Sequence, residues 1–244
     1  MKAIPKIQIA GIKTPEEAQL CVEAGADGLG LLLMLDYPRG DSITTAQARA
    51  IVRSVPAMVA TVLITHSTVP GDIIASVKET GVSTLQIHND SWHEMPVADL
   101  ACIRQALPKT SIIKVFHIPR EAGPDLAAML AKSRLLLPYV DALILDSQAI
   151  EQIAGQNYQT LGGTGCLNDW ALARAIVEAV TPCPVIHAGG LSPDNVCQAI
   201  VAIRPYGVDV NSGVRRTGSV EKDPQRVRIF VEQAHCGFAA LGRL

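Results

Sequence analysis

Val185-Ile186-His187-Ala188-Gly189-Gly190-Leu191-Ser192-Pro193-Asp194-Asn195 opens the stretch that decides the fold, and Val208-Asp209-Val210-Asn211 closes it. A short apolar run leads into paired glycines. Ser-Pro-Asp-Asn then supplies a helix start, with a capping side chain, a first-turn proline and an acid at the positive end of the helix dipole. A second apolar run follows after one helix length. Strand, glycine turn, helix and strand in that order form a βαβ unit with parallel strands.

The same unit recurs along the whole chain. Apolar runs lie at Ile4–Ala10, Gly28–Leu35, Val59–Thr65, Thr84–His88, Ser111–His117, Ala142–Asp146, Val185–Ala188 and Val208–Asn211. They are apolar on both faces, as strands of a parallel sheet covered by helices must be. Thr14-Pro15-Glu16-Glu17 and Asp223-Pro224 repeat the helix-start device. Eight strands alternating with about eight helices in 244 residues predict an α/β fold, a closed (β/α)8 TIM barrel, rather than an open doubly wound sheet. No linker or charge run divides the chain, so residues 1–244 are expected to form a single domain. One connection is long and polar: Ser147 to Leu161 is expected to be a loop, placed like a lid after the sixth run.

Composition narrows the function classes. Apolar residues make up 48% of the chain and charged residues 18%, with a mean hydropathy of +0.25. That is too much apolar side chain for a disordered protein. A formal net charge of −2 favours neither a nucleic acid nor a membrane surface as partner. No apolar run approaches the roughly 20 residues of a membrane span, and Met1 to Ile12 is not expected to act as a signal sequence. Six scattered cysteines show neither disulfide nor zinc spacing. A reduced, cytoplasmic protein is expected. His66, His93, His117 and His187 share no metal-ligand spacing, so neither a metal nor another cofactor is expected.

In a barrel the active site lies where strands end. The polar residues there are Asp36 and Arg39, His66, His88, His117, Asp146-Ser147 and the turns Gly189-Gly190 and Asn211-Ser212-Gly213. The two turns follow the seventh and eighth runs, where backbone N–H groups and a helix N-terminus can hold a phosphate. Gly162 and Gly163, in Gly-Gly-Thr-Gly, add a third glycine turn. Asp146 ends Ala-Leu-Ile-Leu-Asp; burial there would raise its pKa, which suits a general acid, whereas the structural alternative is a capping or salt-bridged rim residue. His88 ends Leu-Gln-Ile-His, with Gln86 on the same face; both are candidate substrate-binding residues, or members of a hydrogen-bonded core. Arg39 is placed to bind a substrate carboxylate or phosphate, or is a solvated loop arginine.

Together these residues resemble the phosphoribosylanthranilate isomerase family of the ribulose-phosphate-binding barrels. The resemblance is carried by Glu23-Ala24-Gly25-Ala26-Asp27, Pro38-Arg39, Leu85-Gln86-Ile87-His88, Leu145-Asp146-Ser147, Gly162-Gly163-Thr164-Gly165, Ala188-Gly189-Gly190-Leu191, Gly207-Val208-Asp209-Val210 and Ser212-Gly213-Val214. It implies tryptophan biosynthesis and an Amadori rearrangement, which converts an aminoaldose phosphate into an aminoketose phosphate. It also implies Asp146 as the general acid that opens the sugar ring and Arg39 near the anthranilate end. The phosphate falls to Gly162, Gly163, Gly189, Gly190, Ser212 and Gly213. The partner is a small phosphorylated sugar, and family members are monomers or homodimers.

The sequence departs from the pattern at several positions. The family's Lys-Ile-Cys-Gly, whose cysteine is the general base, reads Gln8-Ile9-Ala10-Gly11 here. Arg215-Arg216 stands where the family has an acid after Ser-Gly-Val. Three readings follow: an isomerase whose base comes from His117, His187, Cys166 or Asp36; a paralogue acting on a different phosphorylated sugar or amine, with the arginines meeting an extra anion; or a non-catalytic phosphate-ligand binder.

Overall fold

The computed structural model describes residues 4–36, 39–89, 95–118, 126–153, 156–161 and 170–242. Its strands are β1 (Ile7–Ala10), β2 (Gly28–Leu32), β3 (Ala60–Thr65), β4 (Thr84–Ile87), β5 (Ser111–Ile118), β6 (Ala142–Ile153), β7 (Gln156–Leu161), β8 (Val185–His187) and β9 (Gly207–Val210). All except β7 pair in parallel around a ring, in which β8 bridges β6 to β9 and β9 pairs with β1. Between them run α1 (Pro15–Glu23), α2 (Thr45–Ser54), α3 (Pro70–Thr80), α4 (Val97–Ala106), α5 (Leu126–Leu136), α6 (Trp170–Ala179), α7 (Val196–Ile203) and α8 (Pro224–Ala240). This is the closed (β/α)8 barrel that the alternating pattern predicts.

Strand alternation sorts side chains onto two faces. Ile9, Leu31, Leu63, Leu85, Leu145 and Val208 face outward and are fully buried under the helices. Each such burial contributes roughly 1.5–3 kcal/mol. The inward faces carry two apolar patches. Ala10, Leu32, Ala60, Val62 and Ile64 form one; Ile113, Val115, Ala142, Ile144, Ile186 and Ala188 form the other. Buried polar residues, Gln8, Gln86, His88, Asp146 and Asp209, share the barrel's inner face with these patches.

The capping signals act largely as read. Thr14 Oγ1 accepts from Glu17 N ahead of Pro15, and Asp223 accepts from Gln225 N and Arg226 N ahead of Pro224. At α7 the start is later than the Ser-Pro-Asp-Asn signal suggests. Ser192 Oγ accepts from Asp194 N to make a turn, and Asn195 occupies the cap position. Two strands are three residues shorter than their apolar runs. β1 begins at Ile7, where the Asp27 carboxylate takes the amides of Lys6 and Ile7 at 3.0 and 2.7 Å. β2 stops at Leu32, just before Met34 adopts a left-handed backbone with φ 53°.

The expected loop from Ser147 to Leu161 is a correction. β6 continues to Ile153 and pairs antiparallel with β7, Gln148 opposite Leu161 and Ile153 opposite Gln156. Ile150, Ile153, Tyr158 and Thr160 are strand-forming residues, and a polar run that forms a two-stranded ribbon outside the barrel does not need an apolar face. No helix among the described residues is long and apolar enough to cross a membrane.

Candidate active site

The C-terminal ends of the strands surround one cavity, lined among others by Ala10, Arg39, His66, Gln86, His88, Asp146, Gly189, Gly190, Asp209, Asn211 and Ser212. Strand parity puts Gln8 and Ala10 of β1, Gln86 of β4, Asp146 of β6 and Asp209 of β9 on the inner face, while their neighbours Ile9, Leu85, Leu145 and Val208 join the outer core.

A hydrogen-bonded row crosses the interior. Gln8 Nε2 donates to Gln86 Oε1 at 2.9 Å, and Gln86 Nε2 lies 3.2 Å from His88 Nδ1. Because the Gln86 carbonyl is already accepting, its NH2 faces the imidazole, so His88 Nδ1 accepts and its proton sits on Nε2. That nitrogen lies 3.4 Å from Asp146 Oδ2. Burial, followed by the neighbouring charges of His117 and His66, holds the His88 pKa well below its ordinary value. His88 is therefore neutral and presents an N–H, not a cation, to the Asp146 carboxyl. At the other end of the row Gln8 hydrogen-bonds Asp209. Burial and then the charge of Asp146 push Asp209 up to about 7.

The turns after β8 and β9 form the opposite rim. Gly189 and Gly190 have φ of 86° and 67°, the left-handed region that glycine enters without steric cost. Asn195 pins this turn: its Nδ2 donates to Gly190 O at 2.9 Å while its Oδ1 accepts from Ser192 N at 2.9 Å. Among the described residues, neither Gly189 nor Gly190 donates its amide to a protein acceptor. Ser212 lines the cavity, and Gly213 lies behind it. A Cβ on Gly213 would sit 1.9 Å from Leu191 O, so the two turns are packed back to back.

A second polar cluster closes the rim between β1, β2 and β9. Asp41 is only 1% exposed. Its Oδ1 accepts from Arg39 Nε at 3.1 Å, and its Oδ2 from Asn211 Nδ2 at 2.9 Å and from Arg215. Asn211 Oδ1 in turn accepts from Lys222 Nζ at 2.8 Å and from Arg215. Burial alone would raise the Asp41 pKa, but Arg39, the Asn211 amide and Arg215 outweigh it and hold the carboxyl below its ordinary value. Burial and the nearby Arg215 lower Lys222 to about 8.

Against the sequence reading, Ala10, Arg39, Gln86, His88, Asp146, Gly189, Gly190 and Ser212 are all brought to one cavity. Gln86 has both ends of its amide engaged, by Gln8 and His88. Gly162, Gly163 and Cys166 lie outside the described residues. Of the proposed substitute bases, His187 faces outward between Leu145 and Val208, fully buried with both ring nitrogens unpartnered, and does not reach the cavity. Asp36 sits on the rim beside His66 Nδ1 at 3.5 Å, and His117 Nε2 contacts Asn89 O at 3.1 Å. Arg215 is engaged by Asp41 and Asn211, and Arg216 is exposed. The sequence reading gives no role at the site to Asp41, Lys222 or Asp209. For Asp209 the signal was present: a carboxylate in Gly-Val-Asp-Val, on the inner face of the last strand. Among the described residues, no group of three or more His, Cys, Asp or Glu could hold a metal ion.

Comparison with known proteins points the same way. The family model for N-(5'-phosphoribosyl)anthranilate isomerase matches residues 7–233. The chain is 35% identical to N-(5'-phosphoribosyl)anthranilate isomerase 2 of Methanosarcina mazei, covering 96% of this chain and 95% of that protein. It is 36% identical to the N-(5'-phosphoribosyl)anthranilate isomerase of Methanocella arvoryzae, covering 93% and 97%. Among solved structures, phosphoribosyl anthranilate isomerase from Thermococcus kodakaraensis superposes with a TM-score of 0.70 at 26% identity, over 94% of this chain and 98% of that one. By sequence and by fold, the chain belongs to the N-(5'-phosphoribosyl)anthranilate isomerase family.

Proposed function

We propose that this protein isomerises N-(5'-phosphoribosyl)anthranilate by an Amadori rearrangement, aminoaldose phosphate to aminoketose phosphate, as a cytoplasmic enzyme of tryptophan biosynthesis. The observation that carries this reading is Asp146, buried on the cavity face of β6 and facing the Nε2–H of His88, with the glycine turns across the same cavity. Asp146 protonates the ring oxygen, and His88 holds its carboxyl in place through a proton fixed on one nitrogen by Gln86. The phosphate sits at Gly189, Gly190 and Ser212, where backbone amides and the N-terminus of α7 converge. Gly213 supports it from behind by letting the two turns touch. Arg39 meets the substrate carboxylate while its Nε stays on Asp41. The five described cysteines are all unpaired, which suits a reducing compartment.

The test follows the loss of freshly made substrate by fluorescence. Asp146→Asn is expected to lower turnover by about 10²–10⁴-fold while leaving stabilisation by inorganic phosphate intact. Full activity in that variant would remove Asp146 from the role. A second reading rests on Ala10, which offers no proton-accepting atom: a binder of phosphorylated ligands. It predicts thermal stabilisation by a sugar phosphate with no turnover in the natural sequence.

A further inference from the structure

Among the described residues, five that line the cavity carry ionisable side chains: Arg39, His66, His88, Asp146 and Asp209. Arg39 cannot accept a proton at neutral pH. His88 is tied to Gln86 and Asp146, and Asp146 serves as the acid. His66 presents Nδ1 to Asp36 at 3.5 Å and stacks on His88 with ring centroids 6.0 Å apart. Asp209 remains. It is 9% exposed, and its Oδ1 is buried with no hydrogen-bond partner. Its strand, β9, is the neighbour of β1, with Asp209 level with Gln8 and Val210 level with Ile9. The carboxyl therefore stands beside and just below the inward-facing methyl of Ala10.

Resting on the isomerase reading above, we propose that Asp209 is the general base that removes the C2 proton of the sugar. A substrate with its phosphate on the turns after β8 and β9 and its carboxylate at Arg39 crosses the mouth over β9 and β1, directly above this carboxyl. Among the described residues, the side chain that hydrogen-bonds Asp209 is Gln8, which is neutral, so nothing in that contact cancels its basicity. The charged groups that bear on Asp209 are Asp146 on β6 and Lys222 ahead of α8. Burial, and after it the charge of Asp146, raises the Asp209 pKa to about 7, the range in which a carboxylate takes a proton at neutral pH.

The steps balance. Asp146 gives its proton to the ring oxygen, the C1–O bond breaks, and the nitrogen lone pair forms a C1=N bond. Asp209 then takes the hydrogen from C2; that C–H pair becomes the C1=C2 bond, and the C=N pair returns to nitrogen. Ketonisation releases the enol O–H proton and places one on C1. Asp146 has lost one proton and Asp209 has gained one, so the pair ends with the number it began with.

The test measures kcat and the pH dependence of kcat/KM for the natural protein, Asp209→Asn, His66→Asn and the double variant Asp209→Asn with Ala10→Cys. The natural protein should show an acid limb near pH 7. Asp209→Asn should lose about 10²–10⁴-fold in kcat yet still be stabilised by inorganic phosphate. The added cysteine should restore turnover with the limb moved into the thiol range. A natural protein without turnover overturns the isomerase reading, and this assignment with it. An active natural protein with Asp209→Asn within threefold of it overturns only the base. So does loss of the limb in His66→Asn alone. Failure of both phosphate stabilisation and cysteine rescue in Asp209→Asn would make Asp209 a structural residue.

Discussion

Asp41 and Asp209 are two buried carboxylates near the mouth of the same barrel, and their environments drive them in opposite directions. Asp41 touches Arg39, Arg215 and Asn211, and its pKa falls below the ordinary carboxylate value. Asp209 hydrogen-bonds the neutral amide of Gln8, and burial followed by the charge of Asp146 raises its pKa to about 7. Burial opposes the charge in both places. The partner's charge decides the outcome: the rim cluster is a neutralised structural knot, and the interior row keeps a carboxyl that exchanges its proton near neutral pH.

The largest effect that would sharpen this contrast is Asp41→Asn. It leaves Arg39, Arg215 and Lys222 facing one another without their shared anion, and breaking such a buried pair costs about 3–5 kcal/mol. Urea unfolding at pH 7 measures it. A cost below about 1 kcal/mol would mean that solvent already screens the cluster. The sign with pH follows from the lowered value. Asp41's contribution is present above its unfolded pKa and is lost as pH falls through the still lower folded pKa.

Asp209→Asn should do the reverse. The folded pKa of about 7 lies above the ordinary carboxyl value of 3.8. Between roughly pH 4 and 7 the unfolded chain ionises while the folded one does not, so stability falls as pH rises and the penalty is complete above 7. Asparagine removes it. The variant should gain at most about 4 kcal/mol at pH 8 and nothing near pH 4, even as it loses turnover. An equal change at both pH values would sink the idea that ionisation is the cause. Smaller still is Gln8→Lys. A cation beside Asp209 should lower its pKa by about 1–3 units, turning the interior carboxyl into a second Asp41. Titration of the 13C-labelled carboxyl reads this directly, and an unmoved value would show that the lysine points elsewhere.

Much of the barrel was legible because a strand covered on both sides announces itself as an apolar run. The strand ends were less so: β1 begins where the Asp27 carboxylate captures the Lys6 and Ile7 amides, a contact between residues distant in sequence. The turn Gly189-Gly190 was readable from its place after a strand, and Asp146 from the apolar run that it closes. The Arg215–Asp41 pair was not legible because Asp41 comes from a loop on the far side of the sequence. His187 was misread for a nearer reason. Counting alternation from Ile186 puts its ring under the helices, so parity alone would have removed it from the candidate bases. The same count would have found Asp209, which sits in step with inward-facing Gln8.

The contact of Gly213 with the Leu191 carbonyl has a bearing on engineering. Two loops from separate βα units share one surface, so they form a single module although the chain writes them apart. Grafting the turn after β8 from another barrel without the turn after β9 would leave that surface mismatched. Loop exchange in this scaffold should therefore move the pair together, with Asn195 carried along as the tether that shapes the first turn.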